Sequence, residues 1–168
     1  MHLRRATLPL TLVVGVAALA IGAYAFGRTK GPTASWVRDM TFDGYGRQRV
    51  IYHVDQPAGL FNGRFRHLLQ VAQNHVEAVG VENLDLRIVL QGDGVDLLMW
   101  AKGNAAAERA IDRLKAEGVK FEVCRNTLIV RRLDPDRDLY GVKREDVIRA
   151  AVGEIAALEQ QGFRYIKP

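Results

Sequence analysis

The chain's single cysteine, Cys124, is followed at once by Arg125 and Asn126. A thiol beside a guanidinium and the unpaired backbone N–H groups of a turn ionises more readily than a free one, and the thiolate is the nucleophile. That grouping points to sulfur chemistry without a cofactor. The plain alternative is that Cys124 fills space at a strand end as a small apolar residue. One cysteine cannot form an internal disulfide, a CxxC redox pair or a zinc knuckle within one chain. Of the four histidines, His67 and His75 lie eight positions apart, two turns on a helix, so no metal site is expected.

Other chemistry-bearing groups cluster where strands should end. His53 and Asp55 close one apolar run, Gln91-Gly92-Asp93-Gly94 closes a second, and Cys124, Arg125 and Asn126 close a third. Gly92-Asp93-Gly94 starts like a dinucleotide fingerprint, but Leu97 replaces the third glycine and the run follows the second strand, so it reads as a turn. Asp134, Asp136, Asp138 and Glu145 mimic calcium-loop spacing, yet Leu139 stands where glycine is needed and Pro135 lies inside. A solvated acidic loop, paired with Arg131 or Arg132, is the simpler expectation. No Ser-His-Asp order, H-E-x-x-H or Walker pattern is present.

The elements that must hold these groups follow from periodicity. Arg47 to Asp55 is β-branched and aromatic and ends in turn residues, a first strand. Phe65, Leu68, Leu69, Ala72, Val76 and Val79 form one helical stripe that Gly80 closes. Leu84 to Leu90 alternates as a second strand. Val95 to Ala101 and Ala105 to Glu117 read as helices, and Val119 to Cys124 as the third strand. A polar loop is predicted over Arg131 to Tyr140, then a short helix over Lys143 to Arg149 running into a fourth strand near Val147 to Ala151. A helix over Val152 to Gln161 and a last strand over Phe163 to Ile166 complete the chain. The alternation predicts an α/β fold of three layers, a mostly parallel five-stranded sheet with helices on both faces. In such sheets ligands gather outside the carboxyl ends of the strands, which puts His53, Asp55, Asp93, Cys124, Arg125 and Asn126 on one rim.

An N-terminal hydrophobic helix is expected ahead of that fold. Thr7 to Gly27 carries no charge and reaches the ~20 residues of a membrane span, while Ala23-Tyr24-Ala25 resembles a signal cleavage site. Either reading, cleaved leader or retained anchor over 1–30, sends the following domain through a membrane, and a periplasmic location is expected. Residues 31–46 read as a linker and 47–168 as the domain. Most of the net charge of +5 belongs to that leader: Arg4, Arg5, Arg28 and Lys30 are four of the 24 basic residues, with no acid beside them. The remainder is nearly neutral, with no basic face for nucleic acid.

Five ordered runs, Val50 to Asp55 (VIYHVD), Asn83 to Gly94 (NLDLRIVLQGDG), Gly118 to Leu128 (GVKFEVCRNTL), Asp134 to Val142 (DPDRDLYGV) and Gln161 to Pro168 (QGFRYIKP), resemble the DsrE/DsrF-like family of intracellular sulfur oxidation proteins. The resemblance spans about 36 to 168. It implies a compact five-stranded α/β fold, assembly into homo-oligomers (trimers or hexamers), no cofactor, and a cysteine that passes a persulfide between donor and acceptor proteins. The matching position is Cys124, with His53, Asp55, Asp93, Arg125 and Asn126 as supporting candidates. The leader departs from the family, whose sulfur-relay members are cytoplasmic. Three functions follow as expectations: a persulfide carrier, a non-catalytic accessory subunit of a membrane-associated complex, or a small-ligand binder at the crevice of the strand ends.

Overall fold

The computed structural model describes residues 43–168 together with Val37, Met40 and Thr41. The predicted leader or anchor lies outside the described residues. Among those described, no helix is long and apolar enough to cross a membrane.

The apolar runs become five strands, β1 (Gln48–Val54), β2 (Leu84–Leu90), β3 (Lys120–Cys124), β4 (Val147–Ile148) and β5 (Arg164–Ile166). They lie in the order β4-β3-β2-β1-β5, and every pairing is parallel. The long strand β1 pairs with the central strand β2 along its whole length, from Gln48 opposite Leu84 to Val54 opposite Leu90. Parallel neighbours need crossovers, and helices supply them. These are α1 (Gly63–Val79), α2 (Asp96–Ala101), α3 (Ala105–Ala116), α4 (Arg125–Arg131), the single turn α5 (Pro135–Asp138) and α6 (Ala151–Gln160).

Because side chains alternate along a strand, the sheet presents two different faces. Val50, Tyr52, Leu86, Ile88, Leu90, Phe121 and Val123 pack with α1, α2 and α3, and the predicted stripe from Phe65 to Val79 is buried there in full. Burial of such side chains contributes roughly 1.5–3 kcal/mol each. On the opposite face α6 alone covers Ile51, Val89 and Cys124, through Ala151, Ile155 and Leu158. Beyond its reach that face turns polar. Arg87 bridges Asp85 at 2.9 Å and the buried Glu122 at 2.8 Å. The guanidinium groups of Arg49 and Arg87 stand 4.2 and 5.5 Å from the Phe163 ring centroid, a cation–π arrangement that covers the aromatic edge.

The structure sharpens the expected α/β class in four places. The sheet is wholly parallel, with α1, α2, α3 and α4 packed on one face and α6 on the other. Arg125–Arg131, between the third strand and the expected loop, is a helix, and the loop itself contains α5. Asp134 caps that turn by accepting from the N–H groups of Asp136 and Arg137, while Asp138 pairs with Arg137. Arg131 goes instead to Asp96, at 2.6 Å. The short helix expected over Lys143 to Arg149 is a 3₁₀ turn, Arg144–Asp146, and the fourth strand has only two residues. That strand lies inside the expected Val147 to Ala151 and is shorter, because two residues carry no alternation that would mark its end.

Candidate functional site

Cys124 is the last residue of β3 and immediately precedes α4. Strand alternation turns its side chain toward α6, where it is 4% exposed. The backbone N–H of Ala151, at the start of α6, donates to Sγ at 3.4 Å. Burial pushes the thiol's pKa up. Against it act the N–H of Ala151, the N–H and hydroxyl of Thr127 and the N–H of Asn126, and these donors prevail, leaving Cys124 below the ordinary cysteine value. Thr127 Oγ1 also accepts from the N–H of Gly92 at 2.9 Å, which holds the hydroxyl beside the strand end. Arg131 then ties the turn after β2 to α4, donating to the carbonyl of Gly92 at 2.9 Å.

Above the thiol opens a crevice of about 280 Å³, lined among others by Gln91, Gly92, Asn126, Thr127, Val130 and Val152. Val130 and Val152 are 81% and 68% exposed, so the polar donors sit at the bottom of an apolar rim. Such a site can hold a thiolate, screen it from bulk water and present it to one incoming group.

The six residues singled out from sequence do not form one cluster. Asn126 shares the Cys124 crevice. Arg125 and Asp93 are exposed and line no crevice with Cys124, and the acidifying groups are backbone N–H donors and Thr127 rather than the Arg125 guanidinium. His53 and Asp55 line a separate crevice at the end of β1, with Arg64, Phe65 and Lys167. Here His53 Nδ1 lies 2.9 Å from Tyr165 Oη, and Lys167 Nζ lies 2.9 Å from Asp55 Oδ2. His75 is taken up structurally, between Tyr52 Oη at 2.9 Å and Gln48 Oε1 at 2.8 Å.

Sequence reasoning missed Thr127, Ala151, Arg64 and Lys167. Thr127 has a signal, since a hydroxyl three residues after the residue preceding a helix faces that helix's first turn, but the sequence carries no periodicity that announces the helix α4. Ala151 had none, since what it contributes is a main-chain N–H. Thr127→Val is expected to raise the Cys124 pKa. Alkylation by iodoacetamide across pH checks this: wild type should reach half-maximal rate below the ~8.5 of a free thiol, and Thr127→Val should move the midpoint upward. An unmoved midpoint would remove Thr127 from the site.

Among the described residues no group of three His, Cys, Asp or Glu side chains could hold a metal ion.

Comparison with known proteins agrees with this fold. The sequence model of the DsrE/DsrF-like family matches residues 50–168. Among solved structures, the protein of unknown function MTH1491 from Methanobacterium thermoautotrophicum is similar at 26% identity and a TM-score of 0.59, over 72% of this chain and 99% of that one. No curated protein matches.

Proposed function

The chain belongs to the DsrE/DsrF-like family, and on that premise we propose that it is a sulfur carrier in which Cys124 accepts and passes on sulfane sulfur. The observation that carries the reading is a thiol held below its ordinary pKa by four converging donors at the bottom of an apolar-rimmed crevice.

The chemistry balances without a cofactor. The Cys124 thiolate attacks the outer sulfur of a donor persulfide, R–S–SH; the S–S bond breaks, R–S⁻ leaves, and Cys124 carries –S–SH. An acceptor thiolate then attacks that outer sulfur, takes it as its own persulfide, and the Cys124 thiolate departs as the leaving group. The donors that lower its pKa serve both steps, because a better-stabilised thiolate is also a better leaving group. With Cys124 only 4% exposed, the donor's persulfide must enter the crevice rather than meet the thiol at the surface. Val130 and Val152 give it an apolar rim to rest against.

The same proposal has the domain in the periplasm, led there by the uncharged segment over Thr7 to Gly27, and assembled as a trimer or hexamer. The first rests on the sequence of that segment and the second on the family.

Incubating the protein with inorganic polysulfide, removing the excess and weighing it intact tests the central step. Wild type should gain about 32 Da per sulfur carried, and Cys124→Ser should gain none. An unchanged wild-type mass, or an equal gain in Cys124→Ser, would overturn the reading.

A further inference from the structure

Between the end of β1 and the first turn of α1 the backbone holds an uncommon shape. Gly59, Phe61 and Asn62 all have positive φ, at 68°, 52° and 57°, and for a side chain as bulky as Phe61 that left-handed region is an outlier. Two main-chain bonds fix the turn, from the N–H of Asn62 to the carbonyl of Gly59 at 3.3 Å and from the N–H of Arg64 to the carbonyl of Ala58 at 3.0 Å. The result is a tip on which Leu60 is 83% and Phe61 81% exposed. Within one protomer neither side chain gains burial from the strain, and strained turns that persist cluster at functional sites. Two adjacent large apolar groups held out in water mark a contact with another molecule.

The same protomer carries an opening of the complementary kind. A groove of about 400 Å³ lies between α1 and α3, with Leu69, Trp100, Ala107 and Ala110 in its lining. Leu69 and Ala107 are buried, and Trp100 is half-buried against Phe65, with 6.1 Å between ring centroids. Space remains there because α3 lines the groove with alanines, Ala106 among them. The polar groups at its edge are mostly engaged already: Gln70 with Asn74, Gln73 and Arg113 with Glu117, and Asn104 as the cap of α3. What the groove lacks is an apolar occupant.

We propose that the Leu60–Phe61 tip of one protomer fills the α1/α3 groove of a second copy of this chain. The tip does not fill the groove of its own protomer, where both side chains stand exposed. Knob and hole occur once each per chain, so a symmetric assembly covers every one of both, which a foreign partner would not do. A buried aromatic contributes ~150–250 Å² and a stable interface ~800 Å² per partner. The tip is therefore the anchor, and the faces of α1 and α3 around the groove supply the remaining area. The inference rests on the assembly proposed above and adds the surface that makes it; it does not involve Cys124.

Light scattering of the full chain in mild detergent reads the mass of the assembly. Wild type should be oligomeric, and Leu60→Ser/Phe61→Ser and Ala106→Arg should each raise the dissociation constant at least about a hundredfold and shift the mass toward the monomer. These positions are exposed, so thermal unfolding of both variants should stay cooperative. Val81→Ser, exposed at the far end of α1 from the tip, should remain assembled. A second readout uses Cys124→Ser chains carrying either Phe61→Cys or Ala106→Cys. Mixed and oxidised, the two should form a disulfide with each other faster than either does with itself. A monomeric wild type would overturn the assembly reading and this contact together. An assembled wild type whose mass Leu60→Ser/Phe61→Ser leaves unchanged would overturn the contact alone, as would disulfides that form fastest between two Phe61→Cys chains.

Discussion

Gly94→Ala is expected to destabilise the domain by at least about 3 kcal/mol, the upper part of what forced overpacking costs. A Cβ placed on Gly94 would lie 1.9 Å from the carbonyl oxygen of Val54, 2.4 Å from its carbon and 3.0 Å from the nitrogen of Asp55. All three atoms are main chain, so no rotamer change relieves the contact. Nor can β1 retreat, because it is paired to β2 on one side and β5 on the other. The same carbonyl of Val54 accepts from the N–H of Gln91 at 3.0 Å, so the clash would also pull apart the start of the turn that Gly92–Val95 forms. Gly63→Ala is the matched control. Gly63 has a helical φ of −59°, and nothing stands within 4 Å of its added carbon; it should stabilise by about 0.4–1 kcal/mol through the unfolded chain. Urea midpoints decide both. A Gly94→Ala midpoint close to wild type would mean that the β1 and β2 ends can separate freely.

Arg87→Met should be nearly as damaging at neutral pH, by about 3–5 kcal/mol, the cost of stranding a buried charge. Glu122 is 6% exposed, and its Oε2 has no partner among the described residues. Burial pushes the Glu122 carboxyl above its ordinary pKa, and the hydrogen bond and charge of Arg87 pull it back only in part. Without Arg87 the native value climbs further. Because the native carboxyl then holds its proton to higher pH than the unfolded chain does, stability is fully present below the unfolded value of ~4.3 and falls as pH rises through the native one. The deficit of Arg87→Met relative to wild type should therefore be small near pH ~4.5 and large at pH ~7. Adding Glu122→Leu should return most of the loss, since an apolar pair replaces a buried ion pair at little cost. A deficit that does not change with pH would show that Arg87 acts through its packing on Phe163 and not through Glu122.

The sequence made the sheet and the main helices readable, because β1, β2 and β3 combine apolar runs with turn residues and α1 keeps one unbroken stripe. The seven-residue α4 escaped, and the fourth strand is shorter than its expected span, for the same reason: neither segment is long enough to display a period. The rim rule correctly collected residues at strand ends but could not divide them, since the strand order is not written in any local pattern. With β2 between β1 and β3, His53 and Asp55 fall on one side of the sheet's centre and Cys124 on the other. Three of the four donors around Cys124 are main-chain N–H groups, which any residue type supplies, so no composition would have revealed them.

The seam that joins β1 to β5 has a consequence for the order of folding. Three side-chain ties cross it or flank it, Arg49 to the carbonyl of Gln161, His53 to Tyr165 and Asp55 to Lys167, and each spans 112 residues of chain. The opposite edge of β1 is closed by β2, which follows after one helix. Long loops cost more entropy to close and are formed later than short ones, so β1–α1–β2 is expected to assemble first and the β5 seam to zip last. The crevice between β1 and β5 would then come into being only when the chain is otherwise folded.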